Sequence, residues 1–201
     1  MDYSPGLRGV IAGETEISTV GMEGTSLRYR GYDAVGLTST NTYEDVASLI
    51  IDDDLDGELF KKSFSNHYKK LSEDSELIQL INRLKTEQHP MDVIRTAISY
   101  IGEADESNKL DAASKVTAIA CLAIASYNKE SSDVLDQKYT VASSLLPNSS
   151  TEQQLEALDD MLILYAEHGF NASTFAARVT ASTRSDSVSY THLTLPTIYS
   201  V

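Results

Sequence analysis

Glu167, His168 and Gly169 lie where one apolar helical pattern gives way to the next, and Asn171 and Ser173 follow at once. A helix C-terminus favours a histidine in its cationic form. A cationic or donor histidine at a helix junction can hold a carboxylate. The residues alone leave two roles open for His168: holding an anionic ligand, or capping the helix end. The other histidines carry less. His89 stands immediately before Pro90 and Met91 and reads as a structural helix start. His67 sits among Lys61, Lys62, Lys69 and Lys70, on a face expected to be solvated rather than built for an anion. Cys121 lies in the apolar run Ala118 to Ala125 and reads as a small buried hydrophobe.

The elements that must position these residues are mostly helical. Ile17 to Val20 and Leu27 to Arg30 alternate weakly around Gly21 and Gly24, which predicts a short hairpin. From Tyr43 the spacing changes. Tyr43, Val46, Ala47, Ile50 and Ile51 recur at helical intervals, with Asn41 or Thr42 as cap and Glu44 and Asp45 suiting the positive end. Helices are predicted over Glu58 to Leu71, Asp74 to Lys85, Pro90 to about Gly102, Ala112 to Ser126 and Val134 to Leu146. Ser150 to Gln153 fits a capping box for a helix through Leu155, Leu158, Met161, Leu162 and Tyr165. A last helix starts around Asn171 to Ser173 and includes Phe175 and Val179. Arg30 and Asp33 are expected to pair structurally near the first turn. The fold class is therefore mainly α, with a small β element at the front.

The chain has 201 residues, 41% hydrophobic and 23% charged, which is globular composition. Its formal net charge is −14, with 30 acidic and 16 basic residues. That balance argues against nucleic acid and anionic membrane surfaces as partners. No stretch is long and apolar enough for a membrane span. MDYSPGLRGV lacks the basic and apolar regions of a secretory signal. One cysteine excludes an intramolecular disulfide, and a reducing cytoplasm is the expected location.

Residues 188–201 differ in kind. They contain no Asp, Glu, Lys or Arg and show no helical period. VSYTHLTLPT resembles the in-frame translation of a sequencing-library transposon end. The expectation is that residues 1–187 form the biological part, the N-terminal portion of a large helical domain, and that 188–201 are a non-native tail. His192 then carries no function.

ILYAEHGFNASTFAARVTAST, from Ile163, closely resembles the pattern of bacterial and archaeal citrate synthases and 2-methylcitrate synthases. GLRGVIAGETEISTVG (from Gly6), LRYRGYD (from Leu27) and HPMDVIRTAISYIG (from His89) resemble the same family in the same order. The resemblance implies an incomplete citrate synthase-like helical bundle. It implies condensation of acetyl-CoA with oxaloacetate to citrate and CoA, the step that opens the tricarboxylic acid cycle, catalysed by an acyltransferase. The full-length enzyme would be a homodimer. Propionyl-CoA, as in 2-methylcitrate synthase, is the alternative, and a non-catalytic helical interaction protein is the alternative of another class.

By the same resemblance His168 binds oxaloacetate and Asn171 shapes the junction, with a weaker claim to substrate contact. His89 and Arg95 also match family positions. The family's chemistry is general acid–base work with stabilisation of developing oxygen charge. It implies no metal and no cofactor, the CoA thioester being a substrate. The P-L-H-G-G-A-N-E segment that bears the family's first catalytic histidine is expected soon after Ser185-Asp186, where this chain enters its tail. No catalytic residue is therefore assigned, and the chain alone is expected to be inactive. Such a bundle would leave the stripe Leu155, Leu158 and Leu162 partly uncovered.

Overall fold

The computed structural model describes residues 13–20, 26–101, 108–127 and 138–182. The turn glycines Gly21 and Gly24, residues 6–12, residues 134–137, His192 and the segment 188–201 lie outside that set. The described elements are β1 (Ser18–Thr19), β2 (Arg28–Tyr29), β3 (Tyr32–Asp33), α1 (Ala34–Thr38), α2 (Tyr43–Asp52), α3 (Glu58–Ser72), α4 (Ser75–Leu84), α5 (Pro90–Tyr100), α6 (Lys109–Ala125), α7 (Thr140–Leu145), α8 (Glu152–Leu164) and α9 (Ala172–Ala181).

The predicted hairpin is present, with Ser18 opposite Tyr29 and Thr19 opposite Arg28. A third strand joins it, with Arg28 opposite Asp33 and Tyr29 opposite Tyr32. Arg30 and Gly31 make the β2–β3 turn with φ of 48° and 88°. Two left-handed residues in a tight turn match the twist of the paired strands. Arg30 is held in that costly conformation from several sides. Its N–H donates to the Ile17 carbonyl (2.8 Å), and its guanidinium donates to the Ile50 carbonyl (3.0 Å).

The expected Arg30–Asp33 pair does not form. Arg30 faces Asp53 instead, at 3.7 Å. Asp33 caps α1, accepting from the Gly36 N–H at 2.8 Å. An unmet N–H at a helix start draws the carboxylate more strongly than an exposed ion pair does. The α8 box is also shifted by one residue. Ser150 N–H is spent on the Pro147 carbonyl (2.9 Å). The helix therefore opens at Thr151, with Gln154 reaching back to the Thr151 N–H (2.8 Å).

Two apolar clusters organise the helices. The larger joins Phe60 and Phe64 of α3, Leu77 and Ile81 of α4, Val93 and Ala97 of α5, and Ala118, Ile119 and Ala123 of α6. Small residues on α6 and α5 let these helices approach closely. Cys121 is buried here, and burial pushes its thiol up to about 12, so it behaves as the expected inert hydrophobe. The smaller cluster joins Tyr29, Ala34, Leu37, Val46, Leu49 and Ile163. Helix α2 serves both, through Ala47 on one side and Val46 and Leu49 on the other. Leu155, Leu158 and Leu162 are half-buried, while Met161, Leu164 and Tyr165 of the same segment, with Phe175 and Val179 of α9, are exposed.

Two carboxylates are buried where α2, α7 and α8 meet. Asp159 of α8 and Glu44 of α2 are each 1% exposed. Asp159 accepts from the Tyr43 N–H at the start of α2 (3.0 Å). Glu44 accepts from the Val141 N–H at the start of α7 (2.7 Å). Glu44 therefore serves the positive end of another helix, and Asp45 alone completes the box with Thr42 in its own. One oxygen of each buried carboxyl has no hydrogen-bond partner among the described residues. Burial pushes both carboxyls up, and the Glu44 charge helps to lift Asp159 to about 7.

A carboxyl whose pKa is raised on folding stabilises the fold fully below its unfolded value of about 4. That contribution is lost as pH rises towards the folded value of about 7. Asp33 and Asp111 titrate with the opposite sign, being held low by Ser26 and Ser63 hydroxyls first. The test is therefore a difference between proteins. Asp159→Asn keeps an oxygen for Tyr43 N–H and removes the charge. At about pH 8 it should melt some 4–8 °C above the parent, about 2 kcal/mol, and the gap should close towards about pH 5. Parallel melting curves across that range would contradict the assignment.

Candidate functional site

The α8 helix ends at Leu164, and the chain crosses to α9 through residues 165–170. The Ile163 carbonyl accepts from the buried Tyr29 hydroxyl at 2.8 Å. Burial is the largest influence on Tyr29 and raises its pKa, so the phenol remains a donor. This contact ties the end of α8 to the small sheet. Phe170 packs near Gly13, where an added Cβ would lie 3.7 Å from the ring. The Arg178 guanidinium covers the same ring at 4.8 Å from its centre.

His168 lies inside this crossing, exposed to solvent. It lies beyond the last turn of α8, whose C-cap is Tyr165 and not His168. It stands instead just before the N-terminus of α9. Asn171 is the cap of that helix, as its place in the sequence predicts, and its Oδ1 accepts from the Thr174 N–H at 2.8 Å. Gly169 adopts φ of +87°, a conformation that favours glycine. The Glu167 carboxylate accepts from the Gly169 N–H and from the Ser18 hydroxyl at 3.3 Å.

The Asn171 side chain also reaches His168. Its Nδ2 lies 3.3 Å from the imidazole Nε2. Because Oδ1 faces an N–H donor, the other end of the amide must be the NH2 group. Nε2 must then accept, which places the ring proton on Nδ1. The crossing thus presents an Nδ1–H donor beside a helix N-terminus, an arrangement suited to a carboxylate or a ketone oxygen.

The other residues singled out in the sequence lie elsewhere. His89 caps α5, its Nδ1 accepting from the Met91 N–H at 3.2 Å. Arg95 pairs with Asp92 on the same helix at 2.6 Å. His67 Nε2 lies 3.0 Å from Asp111 Oδ1, and Ser63 donates to that same oxygen. Here the carboxylate sits between serine and histidine. Nucleophile activation needs the histidine in the middle, so this cluster is a tie between α3 and α6. Lys62, Lys69 and Lys70 are exposed. Among the described residues no three His, Cys, Asp or Glu side chains form a group able to hold a metal ion. No described helix is long and apolar enough to cross a membrane.

The roles of Ser18 and Tyr29 were hidden from sequence reasoning. Ser18 and Glu167 stand 149 residues apart, and Tyr29 and Ile163 stand 134 apart. No local pattern carries such a pairing.

Residues 6–192 match the family model described as citrate synthase, C-terminal domain. The chain belongs to the citrate synthase family. It is 36% identical to a 2-methylcitrate synthase of Shewanella oneidensis, over 90% of this chain and 52% of that protein. It is 33% identical to the citrate/2-methylcitrate synthase of Bacillus subtilis, over 92% of this chain and 54% of that one. A citrate synthase of Thermoplasma acidophilum, solved with carboxymethyl coenzyme A and oxaloacetate, shares the fold with a TM-score of 0.80. That match is 20% identical and covers 96% of this chain and 55% of the other. The chain therefore spans about half the length of the relatives it matches. The mainly α fold with a small front sheet is the citrate synthase fold.

The Asn171 contact makes a spectroscopic prediction. At about pH 8, imidazole ¹H–¹⁵N correlation spectra should show His168 as the Nδ1–H tautomer. Asn171→Ala should let the Nε2–H form appear and should cost about 1 kcal/mol through the lost cap. An Nε2–H tautomer in the parent chain would refute the arrangement.

Proposed function

We propose that the His168 crossing is the oxaloacetate subsite of a citrate synthase-type enzyme, which condenses acetyl-CoA with oxaloacetate and releases citrate and CoA. The observation that carries this reading is the imidazole fixed by Asn171, with Nδ1–H left for a ligand beside the α9 N-terminus. The helix end adds partial positive charge where a carboxylate would sit. The Nδ1–H suits one oxygen of the keto acid. The Thermoplasma acidophilum citrate synthase forms a ternary complex with carboxymethyl coenzyme A and oxaloacetate, which supports the same substrate here.

In the proposed reaction a carboxylate base removes a proton from the acetyl methyl group. The resulting enol carbon attacks the ketone carbon of oxaloacetate, and water then cleaves the thioester, freeing the CoA thiol. This is acid–base and electrostatic chemistry that requires no metal or redox cofactor. His168 and Asn171 contribute binding and orientation, which lowers the entropic barrier to the bimolecular step. The chain spans about half of its relatives, and we assign it no base and no enol-stabilising group. Alone it should bind oxaloacetate without turning it over. The full-length enzyme is proposed to be a cytoplasmic homodimer.

The Shewanella oneidensis relative supports a second reading, in which propionyl-CoA replaces acetyl-CoA. One methylene is worth only about 1–3 kcal/mol of discrimination, so both thioesters belong in the test. Purified chain should bind oxaloacetate in a calorimetric titration, and His168→Ala should weaken binding about tenfold or more. With oxaloacetate and either thioester, free thiol should appear no faster than in the enzyme-free blank. Binding unchanged in His168→Ala would sink the subsite, and turnover by the chain would sink its inactivity.

A further inference from the structure

Glu167 is an acidic residue, half-buried and adjacent to the histidine proposed to hold an anion. A carboxylate so close to an anionic ligand is unfavourable unless it does something else. Its Oε1 is committed twice. It accepts from the Gly169 N–H, on the far side of His168, and from the hydroxyl of Ser18 in β1. The first bond closes a small ring of backbone with His168 inside it. The second fastens that ring to the sheet, since Ser18 is itself buried.

Gly169, free to adopt φ +87°, lets the chain close that ring. A carboxylate aimed back at the N–H two residues on favours a tight turn, as the side chains of Asx turns do. The direction of the His168 Cα–Cβ bond follows from that turn. Asn171 then fixes rotation of the ring from the other side. Backbone direction and ring rotation are thus controlled by different residues. Losing either would leave the imidazole several conformers to explore, and binding would bear the cost of ordering them.

We propose that Glu167 is the positioning residue of the oxaloacetate histidine, acting through the Gly169 N–H and Ser18 and not on the ligand. The proposal rests on the subsite reading above. It also separates shape from charge. A glutamine retains an oxygen that can accept both bonds, so Glu167→Gln should preserve the turn and, lacking the negative charge, bind oxaloacetate at least as tightly. Glu167→Ala has no acceptor.

The test uses the full chain, labelled with ¹⁵N, in two measurements on the parent, Glu167→Ala, Glu167→Gln and Ser18→Ala. The first is hydrogen exchange of the Gly169 amide without ligand. The second is an oxaloacetate titration. In Glu167→Ala, exchange should quicken about tenfold and the dissociation constant should rise about tenfold. Glu167→Gln should stay within about threefold of the parent in exchange and should not bind more weakly. Ser18→Ala, a surrogate should Glu167→Ala fail to fold, should quicken exchange about threefold. Gly169 exchange unchanged in Glu167→Ala, or binding lost in Glu167→Gln, would overturn the positioning role. A parent chain that does not bind oxaloacetate, while Gly169 responds as stated, would overturn the subsite reading and support Glu167's hold on the turn.

Discussion

The Tyr29 hydroxyl on the Ile163 carbonyl is the contact on which the geometry of the crossing depends. The final carbonyls of a helix lack intrahelical partners. One that is buried must find a donor or cost about 1–3 kcal/mol. The Ile163 carbonyl accepts from the Ala166 N–H at 3.2 Å, and the fully buried Tyr29 adds a second donor from the middle strand of the sheet. The Ile163 side chain fills the smaller cluster beside the same tyrosine. One residue of α8 is thereby fixed by both its side chain and its backbone. The chain that leaves it towards His168 has a defined starting point.

The buried carboxylates do comparable work at the other helix ends. Asp159 meets the first N–H of α2, and Glu44 meets the first turn of α7. Three helices are thus joined end to side by two charged groups in an apolar setting. The desolvation is unfavourable, and it shows in the upward shift of both carboxyls. What the arrangement gives is direction: an apolar contact between helices tolerates sliding, whereas a carboxylate on a helix terminus fixes register.

Much of the helical framework is legible in the sequence because its signals are local. Pro90 marks the start of α5, Asn171 the start of α9, and the spacing of Leu77 and Ile81 the buried face of α4. The third strand and α1 were not legible. Tyr32 to Thr38 is too short for a period to show, and its order comes from the Arg30–Gly31 turn and the Asp33 cap. Nothing in the sequence separates Asp159 from its neighbour Asp160. The burial of Asp159 follows from α8 packing on α2, with a partner 116 residues away. The site divides in the same way. His168 and Asn171 are neighbours in sequence, while Ser18 reaches the turn only through the fold.

The separation of Tyr29 from Ile163 has a consequence during synthesis. The buried residues of the larger cluster lie between Ala47 and Val141 and can close before α8 adds the partly buried Leu162. The smaller one cannot, because Ile163 stands 134 residues after Tyr29. At ~5–20 residues per second, a ribosome takes on the order of ten seconds to cover that interval. Throughout that wait Tyr29, Leu37, Val46 and Leu49 lack the side chain that covers them. Until α8 emerges, this apolar face of the nascent chain stays uncovered by Ile163.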